Sequence, residues 1–527
     1  VSGGAALAVN GGVSGTGSLI KTGAGDLSLL AAGTFTGDTT ISACTLTLGH
    51  SDALQYSTLT TVTGLDFGNL TAVTLGGLAD STNLALTNGS AADLALTVGG
   101  NNSSTTYSGI LSGGGSLTKT GTGTLTLSGT NTFTGDTTVQ AGGLVLTQNN
   151  GLQNSALTNN GALSFSGITA VNLVGLAGSG SVSLTNNASA AVALTLGSNS
   201  ASTDYSGTFS GAGSVTKVGT GTSTFSGGGS YSGTTTVNQG TLQISGGHTL
   251  TAGGDIDVAN TAGSTAALTV TGADTSLATN GHLFLGTDSG TVNATTTVSN
   301  GGSLTVGTTM SVGDAANSTG TLLVTGTGSS LSVGQSFTLG NAGSGTLTIS
   351  DGGVVTVGTG GGAPPFYMAT GSGSSATLNL NSGGTLRMTG NGFSVGSGTA
   401  SINFAGGTLA SFGGYLGPNA SGTLSGTSTI DSTGAPMDVT LSLSGSGNLV
   451  YTGANLMNIF ADSTYTGSTT VRNTTLNIAT ANPFGATPAS ATPDHLILDG
   501  GIVNFYSSYT LESNRGITLG SSGGTFS

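Results

Sequence analysis

Residues Gly113–Leu146 read GGGSLTKTGTGTLTLSGTNTFTGDTTVQAGGLVL, and the stretch returns in three other places. Gly15–Leu48 reads GTGSLIKTGAGDLSLLAAGTFTGDTTISACTLTL, Gly211–Ile244 reads GAGSVTKVGTGTSTFSGGGSYSGTTTVNQGTLQI, and Gly445–Ile478 reads GSGNLVYTGANLMNIFADSTYTGSTTVRNTTLNI. A repeat of this size outranks any local motif. Each copy is one supersecondary unit that cannot bury its apolar face alone. The first three copies are evenly spaced. Lys21, Lys119 and Lys217 lie 98 residues apart (119 − 21, 217 − 119), and Phe35, Phe133 and Tyr231 keep the same step.

A shorter beat runs inside the long one. Apolar pairs at i and i+2 occur at Leu27/Leu29, Leu46/Leu48, Leu65/Phe67 and Leu84/Leu86, each 19 residues after the last. The next copy gives Leu125/Leu127, Leu144/Leu146, Leu163/Phe165 and Val182/Leu184 at the same step. An i, i+2 pair is one face of a short strand. Its return every 19 residues, with Gly-, Asn- and Thr-rich text between, predicts an all-β parallel β-helix, a β-solenoid with coils of roughly 19 residues. On that reading the long repeat holds five coils. Stacked coils bury Leu, Val, Ile and Phe against one another, and recurring Thr, Ser and Asn form hydrogen-bonded ladders along the outside and at the turns.

Composition agrees. Of 527 residues 98 are Gly and 7 are Pro, Trp is absent, and 35% are hydrophobic. That is too apolar for disorder and too poor in Pro for collagen. Six basic residues against twenty acidic ones give a net charge of −14. The acids are spread singly, so the charge keeps a long neutral surface soluble. Phosphate-backbone binding needs clustered Lys and Arg, so nucleic acid is excluded as a partner. No apolar run reaches the length of a membrane span, and this segment is expected not to insert in a membrane. No signal peptide is visible at Val1, and both termini lie within repeat-like text, which reads as an internal or processed piece of something longer.

The organisation falls into three parts. Residues 1–247 form a solenoid of 98-residue long repeats. Residues 248–440 continue it with a second repeat type: Ser264–Gly286 returns at Ser318–Gly340 with an offset of 54, and Thr297–Gly307 at Thr348–Gly358 with an offset of 51. Residues 441–527 bring back the first motif, with Tyr451 at the Lys position, and are open at the C-terminal end. Pro364 and Pro365 interrupt the second part, and Asn482–Pro493, with three prolines, reads as a protruding loop.

The GSLTKTGTGTLTLSGTNTFTGDTTV motif and the tail SNRGITLGSSGGTF resemble the passenger-associated transport repeat of bacterial autotransporters, the autotransporter-associated β-strand repeat. The middle blocks are similar to the Gly/Thr-rich repeats of large autotransporter passengers. The resemblance implies a right-handed helix. It also implies an extracellular or cell-surface location on a bacterium with an outer membrane, and adhesion, aggregation or scaffolding rather than catalysis.

No residue set reads as a catalytic, cofactor-binding or metal site, and no cofactor is expected. His50, His248, His282 and His495 are isolated and non-equivalent and read as surface or turn residues. Asp38 and Asp136 share a repeat position but give way to Thr234 and Ser468, which suits a turn acceptor. Asp255 and Asp257 are too few for calcium alone. Lys21, Lys119 and Lys217 hold half of the basic residues and read as edge charges that discourage lateral strand pairing. Cys44 stands where Gly142 and Gly240 do and is expected at an exposed turn. Arg387, Arg472 and Arg515 have no local concentration of acids beside them, which argues against a polysaccharide-active enzyme.

The function expected is a non-catalytic extracellular stalk or adhesin-like structural protein. Its partners would be other copies of itself, by end-to-end or lateral association, or cell-surface and matrix glycans. The alternative is a filament or sheath subunit that polymerises by stacking the open rungs of its two ends. A polysaccharide-active β-helix enzyme ranks third. Recognition, where present, is expected near Pro364 and Pro488, away from the repeat motif.

Overall fold

A computed structural model describes residues 4–358, 366–389, 392–411, 414–416 and 420–527. The expectation placed on Pro364 and Pro365 lies outside them. Every regular element described is a short β-strand, and no helix occurs among the described residues. The chain divides into two compact units, Val1–Gly233 and Thr234–Ser527. In both, successive strands pair in parallel with strands one coil away, as a parallel β-solenoid requires.

In the first unit each coil presents three strand positions. The coil of the opening stretch runs through Leu117–Lys119, Thr124–Leu127 and a third side at Asn131–Phe133, and returns at Thr137–Val139. The rungs follow the beat of the apolar pairs where that beat is present: Leu27 stands on Leu46 and Leu46 on Leu65, as Leu125 does on Leu144 and Leu144 on Leu163. The step is one longer at Leu117 on Thr137 and two longer at Leu96 on Leu117. The inward residues of these strands are buried and the residue between them faces out, the period-2 alternation of one covered face. Each fully buried Leu of such a column contributes about 1.5–3 kcal/mol relative to exposure.

The 98-residue repeat does not hold five whole coils. Lys21 stands on Ile41, Thr39 on Leu59 and Leu59 on Leu78. The Ser108 amide then donates to the Asp80 carbonyl, and Tyr107 stands on Leu127. Lys119 stands instead in the column of Leu54, Leu75 and Val98. Lys217 stands in the column of Leu152, Leu173 and Leu196. The chain thus makes four coils and two of three sides per long repeat, and equivalent residues move to a new side at each copy. The cause is local. Leu54–Leu59 and Ala72–Leu78 are long strands with a register shift between Leu54 and Thr58, and each spans two sides. Further on, Leu84 stands on Leu111, a step of 27 (111 − 84).

In the second unit the coils are larger. Leu250, Leu277, Leu304 and Leu331 stack at steps of 27, and Ile256, Leu283, Met310 and Phe337 do the same. The widest step, Val355 to Leu386, is 31. The short coil expected from the apolar pairs therefore holds only around the opening motif, and the expected coil size is corrected upward for the rest. The added residues lengthen one side: Thr265–Thr271, Val292–Ser299 and Ser318–Thr325 have seven or eight residues where Thr203–Tyr205 and Thr222–Phe225, earlier in the same sheet, have three and four. The sequence offsets of 54 and 51 are two-coil repeats, since Thr265 stands on Asn293 and Asn293 on Thr319, while Thr297 stands on Leu323 and Leu323 on Thr348. Toward Gly445 the step falls back to 21 and 20, at Ile430 on Tyr451 and Tyr451 on Val471.

Outside ladders form as the Asn and Thr content suggests. Asp438 accepts from Asn458 (2.7 Å), Asn458 from Asn477 (3.0 Å) and Asn477 from Asn504 (3.0 Å), one rung after another.

Candidate functional site

The motif's chemistry points inward. In TGDTT, Gly135 lies so close to the coil below that a Cβ there would sit 2.4 Å from the Gly115 carbonyl oxygen. The backbone carbonyl of Asp136, not its exposed carboxylate, accepts the Leu117 amide at 3.0 Å, and Asp38 does the same for Leu19 at 2.8 Å. Neither carboxylate accepts a hydrogen bond from a described residue, so the reading of these aspartates as side-chain turn acceptors is corrected to a backbone role. Thr137 is buried and shares a hydrogen bond of 2.7 Å with Ser155, whose hydroxyl also reaches the Gly135 carbonyl. The pair Thr39 and Ser57 repeats this at 2.8 Å. Phe35, Phe133, Tyr231 and Tyr465, the aromatic position of the four copies, are all core residues.

The lysines are corrected more sharply. Lys21, Lys119 and Lys217 are only 5%, 1% and 0% exposed, so they cannot act as edge charges. Each sits before a Thr-Gly or Val-Gly pair whose glycine (Gly23, Gly121, Gly219) has a φ of 78°, 67° and 70°. That left-handed turn aims consecutive carbonyls at the ammonium. Lys119 Nζ donates to Thr120 O (2.5 Å), Gly121 O (3.0 Å) and, one coil on, Ala141 O (3.3 Å). Lys21 Nζ donates to Thr22 O, Gly23 O and Ala43 O at 3.3, 3.0 and 2.9 Å. Lys217 Nζ reaches Val218 O and Gly219 O at 2.7 and 2.8 Å. Three donors meeting carbonyls in a closed cage bind successive coils together. Burial lowers the Lys119 amine and pushes the Lys217 amine down to about 8. In the fourth copy Tyr451 fills the same position and is equally buried.

A second buried cation lies near the C-terminal coils. Arg515 opens the strand Arg515–Leu519 beside Thr492–Asp499. Its Nε donates to Glu512 Oε2 (2.9 Å), Nη1 to Phe484 O (2.6 Å) and His495 Nδ1 (2.7 Å), and Nη2 to Gly485 O (3.0 Å). Since Arg can only donate, His495 is neutral with its proton on Nε2. Burial first, and the Arg515 charge second, hold the His495 pKa below its usual value. For Glu512 burial works the other way but is outweighed, chiefly by the Arg515 hydrogen bond, and its carboxyl lies below the usual range.

His495 is therefore a core residue, not a surface one. The expected protruding loop at Asn482–Pro493 is anchored by Phe484, which is fully buried, while Pro488 remains half-exposed. Sequence reasoning missed this cluster because its members are far apart in the chain (Phe484, His495 and Arg515) and meet only through the coil. The one available signal was an Arg in a chain with three.

The other expected residues do not converge. His248 is exposed and His50 Nδ1 accepts the Asp52 amide. Asp255 accepts the His282 amide at 2.8 Å. Cys44 is exposed with a φ of 56°, a strained turn position as its glycine equivalents suggest. Arg472 meets Asp499 at 3.6 Å on the surface. Shallow grooves are present among the described residues. One of about 330 Å³ is walled by Asn317, Ser318, Ser344 and Ser372, and one of about 290 Å³ by Asp66, Phe67, Asn83 and Asn88. Neither gathers acid, base and nucleophile as a reaction centre would.

The fold and the inward motif define a class: a parallel β-solenoid whose repeated residues maintain the coil. Residues 19–52, 117–146 and 215–244 match the family model described as the passenger-associated-transport-repeat. The chain therefore carries three copies of the repeat of autotransporter passengers; the fourth stretch, from Gly445, is outside the matched residues. No curated protein and no solved structure matches the chain.

Proposed function

We propose that this chain is a non-catalytic, adhesin-like stalk, exported by the passenger route and displayed on the surface of a bacterium with an outer membrane. The observation that carries the reading is the use of the transport repeat. Its Lys, aromatic and Thr positions are all consumed in holding coils together, in a chain that matches the passenger repeat three times. The mechanism is mechanical. Continuous backbone pairing between coils leaves few unpaired amides for a protease, and buried cations pin the turns.

Antibody labelling and proteinase shaving of intact source cells test the proposal. Label and cleavage products are expected on unpermeabilised cells. Detection only after permeabilisation contradicts display. Fibres that lengthen with protein concentration would instead favour the filament subunit, and turnover of a polysaccharide would overturn the non-catalytic assignment.

A further inference from the structure

One side of the second unit sets aromatic residues among hydroxyl-bearing ones. The outward residues of five consecutive strands stand in register along it: Asp257, Phe284, Ser311, Thr338 and Tyr367. Phe284 and Tyr367 are partly exposed, and three rungs separate them, about 14 Å. The small residues Ser311, which is buried, and Thr338, which is partly exposed, lie between, so two aromatic platforms flank a low floor. The Phe284 ring stacks on His282, with centroids 5.3 Å apart and planes 21° from parallel, which fixes the platform in place. At the strand exits Asp314, Asn341 and Thr370 form a ladder: Asn341 Nδ2 donates to Asp314 Oδ1 at 3.0 Å and Thr370 Oγ1 to Asn341 Oδ1 at 2.7 Å. Ser311 also donates to Asp314, at 2.6 Å. No described residue donates a hydrogen bond to the Asp257 carboxylate, which keeps its acceptor capacity. Residues 218–386 contain no Lys or Arg.

From this geometry we infer that the side from Asp257 to Tyr367 binds a neutral polysaccharide strand laid along the stacking direction. Ring faces pack against the C–H faces of sugar rings, as an aromatic's apolar body and negative π-face allow. Asp257 supplies a charge-assisted acceptor for sugar hydroxyls. The same carboxylate, with Asp255 and Asp314 nearby, repels uronate and sulfate groups, and no cation on these coils offsets that repulsion. The charge pattern thus commits the surface to uncharged glycans. Display on a cell surface would give the binding its use, but the binding itself is a property of the purified chain, so one can fail while the other holds.

Affinity electrophoresis of the full chain tests this. The gels contain hydroxyethylcellulose, galactomannan, amylose or a soluble β-glucan, with alginate and heparin as anionic arms. At least one neutral glycan should retard the protein, and alginate and heparin should not. Phe284→Ala with Tyr367→Ala should weaken retardation at least tenfold and Asp257→Asn by severalfold. Phe284→Tyr should retain it, as should Thr305→Ala, an exposed residue on a different side of the coil. Circular dichroism separates loss of fold from loss of binding. The inference is overturned if no neutral glycan retards the wild-type protein, if the double variant binds as well as wild type while folded, or if only alginate or heparin retards it.

Discussion

Replacing Lys119 by Met removes the donor from one carbonyl cage while nearly conserving the length of the side chain. Lys119 is 1% exposed and donates to three carbonyls. A hydrogen bond to a charged group is worth about 1.5–3 kcal/mol, and a buried carbonyl left without a donor costs a similar amount. Against this, the variant no longer buries an ammonium, which ordinarily costs several kcal/mol. The difference leaves Lys119→Met destabilised locally by about 2–4 kcal/mol. A repeat protein need not unfold in one step, so the effect is read best where it arises. In hydrogen exchange, the amides of Thr120–Gly123 and Gly142–Leu144 should exchange about 30- to 1000-fold faster in the variant, at 1.36 kcal/mol per tenfold. Amides several coils away should be unchanged. Thr118→Ala, on the outward side of the same strand, should leave both segments near wild type. Exchange in the variant within threefold of wild type would refute the claim that the cage holds the coils.

Other outcomes follow from the same geometry. The Lys217 amine titrates at about 8 when folded and 10.5 when free, so the unfolded chain holds more protons between those values. Stability of its coils should therefore rise from pH 8 to 10 by up to about 1.4 kcal/mol per unit and be lowest below pH 8, where the buried charge is fully present; Lys217→Met should flatten the profile in chemical denaturation. His495 acts with the same sign in a lower pH window. Its pKa is held below 6.5, so the C-terminal coils should weaken as pH falls below 6.5 and the unfolded state takes the proton first. Proteolysis between Asn482 and Pro493 should quicken from pH 7 to pH 5, and His495→Asn should reduce the change. Cys44→Gly relieves a non-glycine residue at φ 56° and should slow exchange around Ala43–Thr45 by the equivalent of about 1 kcal/mol.

The class of fold was legible because period-2 apolar pairs at a fixed beat leave few other architectures. The register of Leu125, Leu144, Leu163 and Val182 is as that beat requires. Coil size was less legible. Longer strands such as Val292–Ser299 add whole i, i+2 steps without changing the alternation, so the sequence looks alike while the coil grows, as it has where Leu277 stands on Leu304. The fractional coil count was hidden for a similar reason. The long period divides nearly into five of the short beats, and only the two-sided strands Leu54–Leu59 and Ala72–Leu78 show where a side is lost. The lysines were misplaced because a charged residue in a Gly/Thr-rich segment ordinarily reads as exposed. The turn at Gly121, which aims carbonyls at Nζ, is a property of backbone conformation. The Phe284–Tyr367 side was missed because each of its members lies one whole larger coil from the next, beyond the reach of the shorter beat.

The long repeat spans four coils and two of three sides, so that Lys21, Lys119 and Lys217 occupy different columns. Disulfide trapping in a Cys44→Ser background tests it directly. Gly178 pairs in parallel with Tyr205, which places Ala177 beside Asp204, while Thr195 stands beside Asn172 and Thr216. The pair Ala177→Cys with Asp204→Cys should close readily under mild oxidation, and Ala177→Cys with Thr195→Cys should not. Closure of the Ala177–Thr195 pair in preference to Ala177–Asp204 would mean five whole coils per repeat and would contradict the register seen between Gly178 and Tyr205.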